Sequence, residues 1–324
     1  MQRLAGLFAV IVLVAVSSAQ AQDAANYPNR PIRFVLGFAA GGGTDLLARI
    51  IGPKVSDILG QPVIVENRTG AGGRIAVDYV QTQAADGHTV AIGAIGQLAV
   101  ATAIYPNLSF HPTRTLTPIA MMGSYPLILT GPVTGDIKTP ADLVAYGKAN
   151  PDKSNYPTSS PAFTIASELF KLKTGMPGQP IPYRSTNEMA LAVAGGQALF
   201  AFPDSSSVVT LAQSGKVRAL AVGRPNRIPE LPDVPTLAEA GRGDVDLKVQ
   251  WIGAFLIPGT PAPIAKKLEA AIQQAVADPG VRERIRGMTY FPEGMGSAEF
   301  RARIDDDIRT FQDVVKAANL KFEQ

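Results

Sequence analysis

The sequence predicts an α/β protein of two lobes, each built on a mixed, mainly parallel sheet. Short apolar runs rich in β-branched residues alternate with longer amphipathic segments, which is the pattern of strands connected by helices. The chain has 324 residues, of which 46% are hydrophobic, and chains longer than about 250 residues usually divide into domains. We expect one lobe at residues 27–124 and 250–324, and the other at residues 125–249.

The first 21 residues have the features of a secretory signal peptide. Arg3 supplies a positive charge, Leu4–Val16 contains no polar side chain, and Ala19 and Ala21 are small residues at the cleavage positions. A membrane-spanning helix needs about 20 apolar residues, so this run is too short for a relaxed span. We expect cleavage after Ala21 and export of a mature chain without a transmembrane segment.

Composition argues against several classes of function. The 30 Lys and Arg residues nearly balance the 27 Asp and Glu residues, which leaves no electrostatic footprint for nucleic acid. The absence of cysteine excludes disulfides, thiol nucleophiles and thiolate metal sites. The chain has only His88 and His111, and it lacks the zinc-protease, serine-hydrolase and P-loop motifs. We therefore expect no enzymatic activity, no cofactor and no bound metal.

The first lobe is predicted from strands at 31–38, 62–67 and 88–94 and from helices at 44–59 and 74–85. In the first helix, apolar residues from Leu46 to Leu59 recur at three- and four-residue steps, so one face packs on the sheet. Pro53 predicts a kink in this helix, and Gly60 predicts its end. A further strand at 251–258 and two amphipathic helices at 263–277 and 298–317 are expected to return to this lobe.

The second lobe is predicted from a separate α/β unit. Strands are expected at 126–132, 154–158, 179–183, 198–204 and 216–223. Thr139 and Pro140 open a helix that extends to residue 150, and residues 187–197 form another helix. A proline-rich stretch at 224–241 precedes the return to the first lobe.

The most informative segment is Gly37–Arg49, where a strand ends in three consecutive glycines directly before a helix. Glycine allows a ligand to approach main-chain amides, and a helix start presents unpaired donors with a partial positive charge. This predicts an anion site at Ala39, Ala40, Gly41, Gly42, Gly43, Thr44 and Asp45. The alternative is a tight turn in which Thr44 or Asp45 is the N-cap. Asp45 either has this capping role or receives an ammonium or hydroxyl group of the ligand.

Other strand-to-helix loops are candidates for the same site. The loop at 93–97 offers Gly96 and the amide of Gln97, and a loop of the second lobe offers the hydroxyls of Ser159, Ser160 and Thr164. Tyr183, Arg184 and Asp204 stand at strand ends. Arg184 is either a partner for a distal carboxylate or a surface residue. A second glycine cluster at 70–73 is interpreted mainly as an architectural turn.

Motifs along almost the whole mature chain resemble those of one family. They include YPNRPIRFVLGFAAGGGTDLLAR, LGQPVIVENRTGAGGRIA, AADGHTVAIGAIGQLAV, GGQALFAF, SGKVRALAV, LPDVPTLAEAG and IPGTPAPIAKKLEAAI. The chain thus resembles the substrate-binding proteins of tripartite tricarboxylate transporters, the TctC-like or Bug proteins.

This resemblance implies a type II periplasmic binding protein fold, whose two lobes are joined by two crossovers. It implies a ligand held largely by main-chain amides and waters, usually a di- or tricarboxylate, an amino acid or an aromatic acid. The matching positions are residues 39–45, Gly96, Gln97 and 159–164, with Tyr183, Arg184 and Asp204 less closely matched. The implied location is the periplasm, the implied partners are membrane permease subunits, and we expect a monomer.

The chain departs from the family pattern at the expected site. Family members commonly have a glycine-rich serine loop where this chain has SSPAF, so Pro161 and Phe163 make that wall bulkier and more apolar. We therefore expect an aromatic or aliphatic acid rather than citrate. Two alternative functions are a ligand-sensing receptor for a signalling system and an exported hydrolase that uses the same cleft.

Overall fold

The computed structural model describes residues 26–133 and 135–322. The predicted signal peptide lies outside these residues. Within the described ranges, no helix has both the length and the apolar composition that crossing a membrane would require.

Strands alternate with helices along the chain. The strands are β1 (Ile32–Leu36), β2 (Val63–Asn67), β3 (Thr89–Ala94), β4 (Thr117–Tyr125), β5 (Ile128–Gly131), β6 (Tyr156–Thr158), β7 (Pro180–Pro182), β8 (Arg218–Val222), β9 (Gln250–Leu256) and β10 (Phe291–Gly296). The helices are α1 (Gly43–Leu59), α2 (Arg74–Gln81), α3 (Ala101–Ile104), α4 (Pro140–Ala149), α5 (Pro161–Thr174), α6 (Thr186–Ala194), α7 (Ser205–Gln213), α8 (Ala262–Ala277), α9 (Pro279–Gly287) and α10 (Ser297–Ala317). A 3₁₀ turn at Ala71–Gly73 leads into α2, and a π-helical turn at Gly96–Val100 leads into α3.

The main sheet has six strands in the order β10-β4-β9-β3-β1-β2. Strand β1 pairs in parallel with β2 and β3, whereas β9 pairs antiparallel with both β3 and β4, and β10 antiparallel with β4. It follows that β1, β2, β3 and β4 run in one direction while β9 and β10 oppose them. The predicted α/β class with a mixed, mainly parallel sheet is confirmed; the sequence patterns did not predict β10.

The chain between β4 and β9, residues 126–249, is called the middle segment below. In its described part, β5 pairs antiparallel with β8 and β6 pairs in parallel with β7. The strand expected at 198–204 is present only as single bridges, Leu127 to Asp204 and Thr130 to Ala201. These pairings fit the expected second lobe at 125–249, whose boundaries stay a prediction.

Helix α1 follows the predicted pattern with one exception. Leu47, Ile51 and Val55 are buried, as expected of an apolar face on the sheet, but Leu46 is 42% exposed. The helix runs through Pro53 and ends at Gly60, whose φ of 71° is left-handed and whose amide donates to the Ser56 carbonyl oxygen. Glycine adopts this conformation without steric cost, which explains the end of the helix.

The main sheet separates two hydrophobic clusters. Phe34 belongs to the cluster under α1 and α8, and its neighbour Val35 belongs to the cluster under α2 and α10, because successive residues of a strand face opposite sides. Each fully buried side chain of this size contributes about 1.5–3 kcal/mol to stability. Since helices cover both faces, ligands can approach the sheet only at its edges and strand ends.

Helix α10 lies very close to β9, because β9 has a glycine at the contact. A Cβ on Gly253 would lie 2.3 Å from the Phe300 ring, which is fully buried. We predict that Gly253→Ala lowers the free energy of unfolding by about 1–3 kcal/mol, the usual cost of overpacking a core. Urea denaturation of the wild-type and variant proteins measures this loss.

The matched control is Gly287→Ala, whose new Cβ would meet nothing within 4 Å in the described chain beyond its own helix backbone and chain neighbours, and which should leave the urea midpoint nearly unchanged. Equal midpoints for the two variants would show that α10 does not pack against β9 as described.

Candidate functional site

A cavity of about 620 Å³ lies where the carboxyl ends of β1, β2 and β3 face the start of α5. It is lined from the main-sheet side by Gly37, Phe38, Ala39, Thr69, Gly70, Ala71, Gly72, Gly73, Arg74, Ala94, Gly96, Gln97, Ala101, Ile104, Tyr105, Tyr125 and Gln250, and from the middle segment by Ser160, Pro161, Ala162 and Phe163. Parallel α/β sheets bind ligands outside the carboxyl ends of their strands. Position and size therefore make this cavity the candidate binding site.

The cavity brings together some of the residues that the sequence predicted and not others. Lining residues from that prediction are Ala39, Gly96, Gln97, Ser160, Pro161 and Phe163. Outside the lining are Ala40, Gly41, Gly42, Gly43, Thr44, Asp45, Ser159, Thr164, Tyr183, Arg184 and Asp204. Ligand contact itself stays a prediction for both groups.

In the loop between β1 and α1, Asp45 fills the position expected for an external anion. The carboxylate of Asp45 is buried and accepts a hydrogen bond from the Gly41 amide at 2.8 Å. It also accepts from Arg49 Nε at 2.9 Å and from Asn67 Nδ2 at 2.9 Å. The Gly42 amide donates to the Ala39 carbonyl oxygen. The sequence predicted an anion site on the amides of residues 40–44. Two of these amides already have acceptors inside the loop, so fewer of them remain for a ligand.

The partners of Asp45 keep it ionised. Burial alone would raise the pKa of its carboxyl, but the hydrogen bonds from Arg49, Gly41 and Asn67 outweigh burial and hold the pKa below the ordinary value of 3.8. Asp45 therefore braces its own loop rather than standing free for a ligand ammonium group.

The second glycine loop, residues 70–73, packs directly on the first. A Cβ on Gly37 would lie 2.4 Å from the Cα and carbonyl oxygen of Gly73, so the two backbones touch. Gly73 has a φ of 90°, which favours glycine. Gln97, which is 4% exposed, donates from Nε2 to the Gly73 carbonyl oxygen at 2.7 Å. This loop is more than the architectural turn favoured from the sequence, because it forms one side of the cavity.

Arg74, at the start of α2, is a functional candidate that the sequence patterns did not predict. Within residues 26–133 and 135–322, it is the one charged residue that lines the cavity. Its Nε donates to the Ala71 carbonyl oxygen at 2.9 Å, and its guanidinium carbon lies 4.9 Å from the centre of the Tyr105 ring. In the described chain, no carboxylate lies within salt-bridge distance of Arg74. The signal was present in the sequence as a cation directly after two consecutive glycines at a helix start.

The middle segment contributes the start of α5. Ser160 is the N-cap, but its side chain makes no capping hydrogen bond, and Pro161 is the first helical residue. Pro161 has no N–H, and the Phe163 amide donates to the Ser160 carbonyl oxygen at 3.1 Å. Ala162 therefore provides the backbone amide that this helix start offers to a ligand, together with the partial positive charge of the helix end. Thr164, predicted to contact the ligand, instead pairs its hydroxyl with that of Thr158 at 2.8 Å.

The remaining predicted residues of the middle segment have local partners. Tyr183 donates its hydroxyl to Gln197 Oε1, and Arg184 is exposed and donates its backbone amide to Glu188. Asp204 is the N-cap of α7, where it accepts hydrogen bonds from the Ser207 amide at 2.9 Å and from the Thr186 hydroxyl at 2.8 Å. None of the three lines the cavity.

Tyr125 and Gln250 line the cavity at the two junctions between the main sheet and the middle segment. The ring of Tyr125 stacks on Tyr290 with 4.7 Å between ring centres. Burial, with a smaller contribution from Asp204, raises the pKa of Tyr125 well above its ordinary value. Its hydroxyl is therefore a neutral hydrogen-bonding group at neutral pH.

The chain is similar in sequence to known proteins. The family model described as "Tripartite tricarboxylate transporter family receptor" matches residues 47–320. Protein BugT of Bordetella pertussis is 30% identical over 326 residues, which cover 100% of this chain and 99% of BugT.

The chain is also similar in fold to solved structures. MatC from Rhodopseudomonas palustris, determined with bound malate, is 30% identical with a TM-score of 0.76, covering 89% of this chain and 100% of MatC. A second R. palustris protein, determined with adipate, is 28% identical with a TM-score of 0.80, covering 91% of this chain and 99% of its own.

The contacts of Asp45 predict that the folded chain loses stability at acidic pH. Since the folded-state pKa of Asp45 is depressed, the stability that its carboxylate contributes is present above pH 3.8 and is lost as the pH falls through the folded-state pKa. Arg49 is 48% exposed, so its ion pair adds little. We expect Asp45→Asn to cost about 1–2 kcal/mol at neutral pH, mainly through buried hydrogen bonds.

Urea denaturation at neutral and acidic pH tests this prediction. The difference in unfolding free energy between wild type and Asp45→Asn should shrink below about pH 4. Asp57→Asn, on the exposed side of the same helix, is the control and should show no such trend. A difference for Asp45→Asn that stays constant with pH would contradict the ionised, hydrogen-bonded carboxylate.

Proposed function

The chain belongs to the tripartite tricarboxylate transporter receptor family, and we propose that it captures a small carboxylate for a membrane transporter of that type. Proteins of this family are periplasmic solute-binding proteins. Two similar structures contain malate and adipate, which supports a carboxylate ligand here as well.

The observation that carries the proposal is the charge of the cavity. Among the residues that the structure describes, Arg74 is its one charged lining residue and no acidic residue lines it. An ionised carboxylate is costly to bury unless its oxygens are hydrogen-bonded or paired with a cation. The cavity offers both the guanidinium of Arg74 and the start of α5, where the Ser160 side chain makes no capping bond and Ala162 presents its backbone amide. These features favour an anion over a neutral or cationic solute.

The two walls of the cavity suggest how capture proceeds. Ser160 to Phe163 come from the middle segment, and the glycine loops come from the main-sheet side. A ligand that contacts both walls stabilises the state in which they are close, so its binding energy shifts the balance towards closure. The main sheet and the middle segment are the two lobes of this proposal, connected on either side by the chain at Tyr125 and Gln250.

The location and partners of the chain follow from the same proposal. We infer export to the periplasm with cleavage after Ala21, and delivery of the bound acid to permease subunits in the membrane. The proposal differs in its consequences from a hydrolase, which would convert its ligand, and from a sensor, which would pass its liganded form to a signalling receptor.

Calorimetry on the purified mature chain tests the central step. We predict binding of one small carboxylate per chain and no binding of the corresponding amide, because the neutral amide has no negative charge for the cavity to stabilise. Proton NMR of the same mixture should show no product after prolonged incubation. Failure of every aliphatic and aromatic mono-, di- and tricarboxylate to bind, or conversion of a bound acid, would contradict the proposal.

A further inference from the structure

Arg74 has hydrogen-bond donors that no acceptor in the described chain uses. Its Nε bonds to the Ala71 carbonyl oxygen, and in the described part of the chain neither Nη1 nor Nη2 has an acceptor. Asp78, one helical turn further on, accepts a hydrogen bond from Ser109 and forms no ion pair with Arg74. Two terminal nitrogens on one planar guanidinium match the two oxygens of a carboxylate.

The position of Arg74 is fixed before any ligand arrives. The bond from Nε to Ala71 holds the side chain against its own loop, and the Tyr105 ring lies 4.9 Å from the guanidinium carbon. A guanidinium near an aromatic ring gains a favourable cation–π interaction. Because the loop is itself tied to Gln97 through Gly73, little rotational freedom remains to be lost on binding.

A second anion-favouring feature lies at another part of the cavity. The start of α5 meets the loop at Gly96, where a Cβ would lie 3.5 Å from the Ala162 side chain. Gln97 and Gly73 separate Gly96 from Arg74 along this wall. The helix start and the guanidinium are therefore distinct features. At the helix start the donor is the Ala162 amide, because Pro161 has no N–H and the Phe163 amide bonds to the Ser160 carbonyl oxygen.

The rest of the lining is largely apolar. Phe38, Ala101, Ile104, Tyr105 and Phe163 contribute aliphatic or aromatic surface to it. Apolar lining with a few convergent polar groups fixes the orientation of a ligand through the polar groups alone. A compact ligand carrying hydroxyl groups along its whole length would leave those groups unpaired against this surface.

We propose that Arg74 is the specificity-determining residue of the site and that it selects ligands with a second carboxylate at the far end of an apolar spacer. The first carboxylate lies at the start of α5, the spacer lies along the apolar lining, and the second carboxylate pairs with Nη1 and Nη2 of Arg74. This inference rests on the proposed capture of a carboxylate and names the class of acid captured. It assigns to Arg74 the distal role that the sequence analysis considered for Arg184, which is exposed and outside the cavity.

A cycle of one protein change and one ligand change tests the inference. Adipate and hexanoate have the same chain length and differ by one carboxylate, and Arg74→Gln removes the charge of the proposed partner. Calorimetry on the mature chain should give adipate an affinity about 10- to 100-fold higher than that of hexanoate, as expected for hydrogen bonds to a charged group. In Arg74→Gln this advantage should vanish while the affinity for hexanoate stays unchanged.

Two further variants sharpen the test. Arg74→Lys keeps the charge but loses the planar pair of donors, so it should retain part of the preference for adipate and show that Arg74→Gln has not simply unfolded the site. Arg184→Gln is the matched control at the exposed arginine, and it should bind both acids as the wild type does.

Each alternative result is informative. Equal weakening of adipate and hexanoate by Arg74→Gln would overturn the inference, because Arg74 would then bind the carboxylate common to both; capture of a carboxylate would still stand. Tighter binding of malate or citrate than of adipate would overturn the apolar spacer in the same way. If neither acid nor any other carboxylate binds to the wild type, the proposed function itself fails.

Discussion

The contact between Gly37 and Gly73 is the constraint on which the rest of the site depends. The two backbones approach so closely that a single Cβ at Gly37 would overlap Gly73, so both strand-to-helix loops share one position at the end of the sheet. The bond from Gln97 to Gly73 ties the loop after β3 to the same point. Three loops that are distant in sequence thereby form one rigid side of a cavity, and the first residue after the glycines, Arg74, is placed in its lining.

This arrangement explains how a chain without a strong net charge offers a site for an acid. The positive charge at the site comes from Arg74, which has no carboxylate partner in the described chain. The nearby carboxylate of Asp45 does not neutralise it, because Asp45 is paired with donors in and beside the first loop. The opposing wall adds the start of α5 rather than a second cation. A site of this kind binds by matching a few donors to a few oxygens, and its apolar lining determines which acids fit.

Strand and helix alternation predicted the fold class well, and the family resemblance is confirmed by the comparisons. Local sequence did not reveal which donors are already occupied. The triple glycine at 41–43 signals an anion-binding loop, but the anion held at Gly41 is the carboxylate of Asp45. Arg184 and Asp204 stand at strand ends as a ligand-binding residue would, yet one is exposed and the other caps α7. Side-chain direction and the meeting of separate loops are tertiary properties, and no periodicity encodes them.

The most direct test of this account is a crystal structure of the protein with adipate. The account predicts the ligand in the cavity between the glycine loops and α5, with one carboxylate at the helix start and the other within hydrogen-bond distance of Nη1 and Nη2 of Arg74. A ligand bound elsewhere on the chain, or bound in the cavity with both carboxylates remote from Arg74, would contradict it.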